Sequence, residues 1–417
     1  MKAYLKFLIK HNFLFEKKLT QIQGLYQSTN IEEYKNQRFL NLFKRAFNET
    51  KFYRELYVSH GISPNDIKSV EDLTKLPEIT KSDVRLKSKS IKRTNSIFTF
   101  KGFTSGTTGT PLIVYRDYNS ILNENAYVWW YRLNNGLNPK DKKISVRGDL
   151  DRNTVMYEDK ASNTLFISSY ALSPQRLKEI FEAVRLYKPK AALGYPSSLH
   201  TLASFAIENK IDIEIPLAFT SSESLLLHQE QAIKSAFSSN IFDWYGNAER
   251  TIALYSENNR YKEPLGYSIN EFCENKIITT SLINDVFPLI RYEVNDIIEV
   301  VTDNHNIKEP IEIKSIIGRK EDSVILPDGT LIGRLDLVFK GVRNILKAQI
   351  IQYNVNSINV FLVTSKNFTQ NRDQKQLEKN LQTRLGQKIK IEFSVVKDSD
   401  LVYTKSGKFK FVINKIN

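Results

Sequence analysis

The segment Thr104–Pro111 constrains the fold more than any other part of the chain. Its eight residues include two glycines and five hydroxyl side chains. The residues Phe98–Phe103 predict a strand before it, and helical spacing of apolar residues at Tyr118–Leu133 predicts a helix after it. A strand, a glycine-containing loop and a helix in this order are typical of layered α/β folds.

The loop composition favours an anionic ligand. Glycine lets successive backbone N–H groups point to one side, and hydroxyls add donors without bulk. The loop differs from the Walker pattern because no Gly-Lys-Ser/Thr follows it. A flexible Ser/Thr-rich turn is the alternative, but the position before a helix favours a polyphosphate. The predicted contacts are Thr104, Ser105, Gly106, Thr107, Thr108 and Gly109.

Strand and helix patterns continue to alternate beyond this loop. Ser173–Tyr187 predicts a helix in which Ser173 is the N-cap and Pro174 the first helical residue. Short buried strands are predicted at Ala191–Leu193 and Leu217–Phe219, and another helix at Leu225–Phe237. This alternation predicts a large α/β domain with stacked layers.

The C-terminal part has a different pattern. Residues 349–363 and 388–396 read as two strands, and a polar helix is predicted between them from Arg372 to Leu385. This is a compact α+β unit. We therefore predict two domains, with residues 1–318 in the first and 319–417 in the second.

Composition excludes several classes of protein. Of the 417 residues, 41% are hydrophobic and 25% charged, which is ordinary for a globular chain. Its 60 Lys and Arg residues exceed its 46 Asp and Glu residues, giving a net charge of +14. These cations are spread along the chain, and no zinc-finger or RNA-binding signature is present, so we expect a basic surface and no nucleic-acid partner.

The cysteine, histidine and apolar patterns bear on disulfide bonds, metal sites and the compartment in which the protein is found. A single cysteine, Cys273, cannot form an intramolecular disulfide, and five histidines show no metal-ligand spacing. No run of 18 apolar residues occurs, so we expect a cytoplasmic protein. The first 20 residues could lie on a membrane surface as a basic amphipathic helix. Packing on the domain is favoured, since ordinary surface helices show the same pattern.

Six further segments, together with the loop, carry a resemblance to a known family. They are Leu76–Lys81, Gly194–Leu199, Asp243–Glu249, Pro288–Asp296, Gly318–Asp322 and Thr404–Lys408. In order and spacing they resemble the adenylate-forming (ANL) superfamily. Within it, the chain is most similar to the branch of phenylacetate–CoA ligases and of CapK-type proteins from capsular polysaccharide gene clusters. The resemblance implies a large adenylation domain followed by a small mobile C-terminal domain.

This resemblance also implies an activity. Such an enzyme uses MgATP to activate a carboxylic acid as acyl-AMP, releases pyrophosphate, and transfers the acyl group to CoA or to an amine or glycan-linked acceptor. CapK-like features favour the second kind of acceptor and a role in surface polysaccharide biosynthesis. At the end of the loop the chain continues Thr110-Pro111-Leu112 where many members have a lysine, and Ala248 stands where many have a hydroxyl. These departures leave open a non-catalytic relative that binds a nucleotide or a partner in a polysaccharide-assembly complex; a membrane-associated scaffold has less support.

The resemblance assigns nucleotide contacts to particular residues. Tyr245 and Gly246 would contact adenine, with Tyr245 stacking on it, and Glu249 would contact magnesium and act in catalysis. A carboxylate beside substrate phosphates is a usual magnesium arrangement. Ser222 and Glu223 occupy the place of a Gly-x-Glu adenine contact, as a partial match.

Four other residues complete the predicted site. Asp296 would bind the two ribose hydroxyls, since a carboxylate can accept two hydrogen bonds from a diol. Arg319 would contact ribose or phosphate, and Glu321 would be the hinge for rotation of the C-terminal domain. Lys408 would be catalytic, because a cation at the reacting carboxylate and α-phosphate stabilises developing charge.

Overall fold

The structure of the chain is a computed structural model. It describes residues 11–96, 98–103, 112–148, 150, 154–273, 276–300, 312–319, 323–329, 331–332, 335–339, 342, 344–387, 389–403 and 409–416. Its α-helices are α1 (Phe13–Gln27), α2 (Ile31–Glu49), α3 (Lys51–Ser59), α4 (Lys81–Ile91), α5 (Tyr118–Asn134), α6 (Pro174–Tyr187), α7 (Pro196–Glu208), α8 (Leu227–Phe237) and α9 (Lys375–Leu385). Among these helices and the other described residues, none combines the length and apolar character needed to cross a membrane.

The strands alternate with these helices and then dominate the second half of the chain. Those up to residue 262 are β1 (Phe100–Phe103), β2 (Ile113–Arg116), β3 (Lys143–Arg147), β4 (Met156–Asp159), β5 (Thr164–Ser168), β6 (Ala191–Gly194), β7 (Leu217–Ser221), β8 (Asn240–Gly246), β9 (Ala253–Glu257) and β10 (Arg260–Lys262). Those beyond it are β11 (Ser268–Cys273), β12 (Lys276–Ser281), β13 (Tyr292–Val294), β14 (Asp296–Val300), β15 (Ile313–Arg319), β16 (Val324–Ile325), β17 (Leu331–Ile332), β18 (Ile345–Asn354), β19 (Ser357–Thr364), β20 (Lys390–Val395) and β21 (Val412–Asn414).

The chain forms two compact units, and each is discontinuous in sequence. Unit 1 consists of Met1–Asp141, Asp159–Asn163 and Phe242–Ser315. Unit 2 consists of Lys142–Glu158, Thr164–Ile241 and Ile316–Asn417. The mixed α/β class and a separate C-terminal domain confirm the predicted fold class. The boundary after residue 318 stays a prediction.

Unit 1 packs its N-terminal helices on antiparallel strands. Its strands form the hairpin β1-β2, the sheet β11-β12-β13, and the series β14-β15-β10-β9-β8. Aromatic side chains of α2 and α3 fill the core, and Phe39, Phe43, Tyr53 and Tyr57 are at most 1% exposed. The two helices separate at Thr50, because its side chain accepts a hydrogen bond from Tyr53 N at 3.2 Å and caps α3.

Unit 2 begins with parallel strands covered by helices. The strand order is β7-β6-β3-β5-β4, and β3 pairs in parallel with both β5 and β6. Apolar faces of α6, α7 and α8 pack on these strands. The predicted helix at Ser173–Tyr187 is confirmed, with Pro174 as its first residue, but the Ser173 side chain makes no capping hydrogen bond.

The C-terminal part of unit 2 has its own sheet and core. Its strands are ordered β20-β19-β18-β21, and α9 packs Leu377 and Leu381 into the core. A single strand over residues 349–363 is wrong, because β18 and β19 form an antiparallel hairpin. Asn354 makes the turn, since its side-chain oxygen accepts hydrogen bonds from Asn356 N at 2.9 Å and Ser357 Oγ at 3.1 Å.

Candidate active site

Tyr245 and Asp296 meet through a side-chain hydrogen bond. Tyr245 lies near the end of β8, where it pairs with Leu254 of β9. Asp296 begins β14, and its Oδ2 accepts a hydrogen bond from the Tyr245 hydroxyl at 2.6 Å. A carboxylate can accept further hydrogen bonds besides this one. Tyr245, predicted to stack on adenine, and Asp296, predicted to bind ribose, are therefore neighbours in space.

Glu249 is the second carboxylate of this region. It is 7% exposed, and its Oε1 accepts a hydrogen bond from the Tyr292 hydroxyl at 3.1 Å. Tyr292 is held in turn by Ile79, which forms an isolated parallel bridge with it. We call Tyr245, Glu249, Tyr292 and Asp296 the tyrosine–carboxylate cluster. Both of its acids are held by neutral phenol donors.

The turn that carries Glu249 is fixed by its neighbours. Asn247 donates from Nδ2 to Thr251 Oγ1 at 2.7 Å and accepts from Thr251 N at 2.9 Å. Thr279 on β12 donates to the Thr251 carbonyl at 2.6 Å. These bonds tie both ends of residues 247–251 to each other and to a central strand. The Glu249 turn, as we name residues 247–251, is thus preorganised.

Arg291 supports the same region from the segment Pro288–Asp296. Its guanidinium makes a two-pronged contact with Glu271, at 3.0 Å from Nε and 2.9 Å from Nη2. Both side chains are largely buried, with exposed fractions of 11% and 7%. A buried pair with this geometry has a structural role, because each charge compensates the other. Arg291 therefore fixes the base of β13 and, through it, Tyr292.

Arg116 is a residue of this region that the sequence reasoning missed. It ends β2, and its Nη2 donates a hydrogen bond to the carbonyl of Ala248 in the Glu249 turn. Burial and the positive charge of Arg250 lower the pKa of Arg116 to about 10. The available signal was its place in the first strand after the Thr/Ser/Gly loop.

In unit 2, the carboxylate of Glu223 is engaged by two backbone groups. Its Oε2 accepts from Ser197 N, in the first turn of α7, at 3.1 Å. Its Oε1 accepts from Phe409 N at 3.0 Å. The neighbouring Ser222 adopts a left-handed backbone with φ of 72°. The acid thus joins α7 to the C-terminal segment of the same unit.

Phe409 and Tyr403 pair as an isolated antiparallel bridge. The Lys347 ammonium lies 3.0 Å from the Tyr403 hydroxyl and 2.7 Å from Asp398 Oδ1. Burial, followed by the charge of Asp398, raises the pKa of Tyr403. We call Tyr403 and Phe409, with Lys347 and Asp398, the lysine-anchored stem. The stem brackets residues 404–408 in sequence.

Several predicted site residues lie outside the described residues. They are Thr104, Ser105, Gly106, Thr107, Thr108, Gly109, Glu321 and Lys408. Arg319 ends β15, and only its backbone is described. The strands on either side of the loop are defined, with Phe103 paired to Ile113. The predicted roles of all these residues stay predictions.

The donor set of unit 1 fits the chemistry of magnesium and a nucleoside. Within the described ranges, no group of three or more His, Cys, Asp or Glu side chains could hold a metal. A single buried carboxylate such as Glu249 matches the way magnesium is bound jointly by protein and substrate phosphates. Asp296 offers carboxylate oxygens for a diol, and Tyr245 beside it offers an aromatic face.

Comparisons with known proteins agree with the sequence resemblance. Residues 324–415 match the CapK C-terminal domain family. Protein CapK of Staphylococcus aureus is 26% identical over 95% of this chain and 92% of that protein. Phenylacetate-coenzyme A ligase of Pseudomonas putida is 21% identical over 71% of this chain and 72% of that enzyme.

A solved structure shows the same fold. The 2-hydroxyisobutyryl-CoA ligase in its postadenylation state, in complex with 2-HIB-AMP, superimposes with a TM-score of 0.68. The match covers 90% of this chain and 88% of that one at 17% identity. The chain therefore has the fold of an adenylate-forming CoA ligase, and its resemblance to CapK and to that ligase family is confirmed.

Proposed function

We propose that this protein is an ATP-dependent ligase that converts a carboxylic acid and MgATP into acyl-AMP and pyrophosphate, and then transfers the acyl group to an acceptor. The observation that carries the proposal is the tyrosine–carboxylate cluster. It places Asp296 at the start of β14 and Glu249 in the turn between β8 and β9, and each accepts a hydrogen bond from a tyrosine hydroxyl, at 2.6 and 3.1 Å respectively.

The chemistry needs no nucleophile from the enzyme, because the substrate carboxylate attacks the α-phosphate itself. The protein contributes positioning and charge stabilisation. Asp296 would hold the ribose through its hydroxyls, while Tyr245 fixes that carboxylate and contacts adenine. Gly246, Ser222, Arg319 and the loop Thr104–Gly109 would complete the nucleotide contacts.

Magnesium at Glu249 would neutralise charge on the phosphates. The Tyr292 hydroxyl orients the Glu249 carboxylate, and the rigid Glu249 turn keeps it in place before substrate binds. A preorganised acid needs no rearrangement during the reaction, which is the usual source of electrostatic catalysis. Lys408 would contact the reacting carboxylate and the α-phosphate during adenylation, and rotation about Glu321 would follow.

The acceptor is the second part of the proposal. Similarity to a CoA ligase favours the thiol of CoA, and similarity to Protein CapK favours an amine or other glycan-linked acceptor in surface polysaccharide assembly. We propose the second. Product mass after incubation with acid, MgATP and either CoA or an amino-sugar nucleotide tests it. An acyl-CoA formed at micromolar CoA without any amide product would overturn it.

Exchange of labelled pyrophosphate into ATP tests the first half-reaction. We expect exchange that depends on one acid among a panel that includes sugar acids and amino acids. Silence across the panel, together with no MgATP binding by calorimetry, would instead support a non-catalytic relative. Lys408→Ala should abolish exchange and leave transfer from supplied acyl-AMP intact, because Lys408 serves only adenylation. Equal loss of both steps in a folded variant would contradict that role.

A further inference from the structure

Two arginines, one beside the Glu249 turn and one within it, have incomplete hydrogen bonding. Arg116 ends β2, the first strand after residues 104–111, and Arg250 directly follows Glu249. Arg116 Nε and Arg250 Nη1 are buried and have no hydrogen-bond partner in the part of the chain that the structure describes. Buried donors are nearly always satisfied, so each unpaired nitrogen calls for a partner from outside this set.

Gly102 sets the position of the first guanidinium. This residue lies on β1 and pairs with Val114 of β2. A Cβ atom at position 102 would lie 2.6 Å from Arg116 Nη1 and 2.7 Å from Cζ. The same guanidinium donates from Nη2 to the Ala248 carbonyl. Arg116 is therefore held between the hairpin and the Glu249 turn, in a space that any other residue at 102 would fill.

The charges around the pair favour an incoming anion. Arg250 is near enough to lower the pKa of Arg116, so the two cations repel each other. The acids that face Arg116 are Glu124 and Glu249, and each accepts a hydrogen bond from a tyrosine hydroxyl. An anion that bridges two like charges relieves their repulsion and supplies the missing acceptors.

We infer that Arg116 and Arg250 bind the phosphate groups of the nucleotide, an assignment that rests on the proposed function. The guanidinium fork matches phosphate oxygens and binds them with two hydrogen bonds. Two departures from the resembling family remove phosphate donors, because the loop continues Thr110-Pro111-Leu112 without a lysine and Ala248 has no hydroxyl. Arg116 contacts the main chain of Ala248 itself and so puts a cation at one of these positions.

Binding of inorganic pyrophosphate and of MgATP, measured by calorimetry, tests the inference. Arg116→Met and Arg250→Met should each weaken both by about tenfold or more, because each removes charge-assisted hydrogen bonds. The affinities of Arg116→Lys should lie between those of these variants and those of the wild type, because lysine keeps the charge and loses the guanidinium fork. The KM of the carboxylic acid should stay unchanged.

Gly102→Ala is an independent test that leaves both arginines in the chain. The three atoms nearest the added Cβ all belong to the flexible end of Arg116, so the hairpin should fold while the guanidinium is displaced. Pyrophosphate affinity should fall by about threefold to tenfold, in the direction of Arg116→Met. Arg54→Met is the matched control, because Arg54 also donates to backbone carbonyls, those of Phe47 and Asn48, away from this region.

The outcomes separate this inference from the proposed function. Unchanged affinity for pyrophosphate in Arg116→Met and Arg250→Met, in an enzyme that still exchanges pyrophosphate, would overturn this inference alone. Weaker binding of the acid with unchanged binding of pyrophosphate would also overturn it, by assigning the pair to the other substrate. In a third outcome, the wild type binds pyrophosphate, both substitutions weaken that binding, and no exchange activity is found. This result would support phosphate binding by the two arginines and contradict the adenylation proposal.

Discussion

Two carboxylates of unit 1 and two of unit 2 are held by different kinds of donor. In unit 1, Asp296 and Glu249 accept hydrogen bonds from the phenols of Tyr245 and Tyr292. In unit 2, Asp398 pairs with the Lys347 ammonium, and Glu223 accepts from two backbone N–H groups. A neutral hydroxyl orients an acid and leaves its charge for a ligand, whereas an ammonium neutralises it. We therefore expect Asp296 and Glu249 to contribute more to ligand binding than Asp398 does.

Replacement of one acid from each unit should give the largest contrast. We expect Glu249→Gln to lower the rate of pyrophosphate exchange by about 100-fold or more, because the preorganised charge is lost while Tyr292 keeps an acceptor. Asp398→Asn is the matched control and should change the rate by less than about twofold. Comparable losses in both variants would remove the distinction between the units.

Asp296→Asn should have the next largest effect. We expect the KM of ATP to rise by about tenfold, since an amide loses one acceptor that the ribose diol needs. Tyr245→Phe removes the donor and keeps both the ring and the acid, so its effect on KM should be smaller. Steady-state exchange at varied ATP measures both. A larger effect from Tyr245→Phe would assign recognition of the nucleotide to the phenol instead.

Acid should weaken unit 2 through His200. Burial, followed by the charge of neighbouring His228, lowers the pKa of His200 from 6.5 to about 3. The unfolded chain therefore binds this proton first, and the free energy of unfolding should fall as pH drops from about 6.5 towards 3, with a slope of at most about 1.4 kcal/mol per pH unit. Denaturant unfolding of the wild type and His200→Gln checks this, because the variant should lose that share of the slope. If the free energies of unfolding of both proteins fall in parallel with pH, His200 is not the cause of the loss.

Glu223→Gln should loosen the lysine-anchored stem. The amide can keep only one of the two acceptor contacts, so we expect the Phe409 amide to exchange its hydrogen about tenfold faster. Mass-spectrometric hydrogen exchange on peptides that contain residue 409 measures this. Glu230→Gln is the control, since Glu230 makes an exposed pair with Lys234 on α8. Unaltered exchange at Phe409 would show that the Glu223 contact does not hold the stem.

The smallest effect should come from the stem pair itself. Asp398 is 54% exposed, so its pair with Lys347 is screened by solvent. We expect Asp398→Asn to lower the free energy of unfolding by less than about 1 kcal/mol. Chemical denaturation of the folded variant is the measurement. A loss of several kcal/mol would place this pair among the buried networks, beside Arg291 and Glu271.

The sequence predicted which side chains belong to the candidate site better than it predicted their hydrogen-bond partners. Short motifs predicted roles for Tyr245, Glu249 and Asp296, and the structure places these residues in the tyrosine–carboxylate cluster. It could not assign Tyr292, because a tyrosine beside a structural arginine reads as core until its hydroxyl is placed on Glu249. Arg116 was missed for a similar reason. Its position depends on Gly102 in the paired strand, and only the β1-β2 register brings these residues together.

The interleaving of the two units has a consequence during biosynthesis. Tyr53 in α3 is fully buried, and its hydroxyl accepts a hydrogen bond from the backbone N–H of Ile290, 237 residues later. The aromatic face of α2 and α3 can therefore be covered only after the third segment of unit 1 has been synthesised. Most of unit 2 before Ile241 is synthesised in between. Non-local contacts of this kind slow folding and leave apolar surface exposed on the nascent chain. Translation that stalls before Ile290 would release chains with this aromatic surface uncovered, and such chains would be targets for chaperones and proteases.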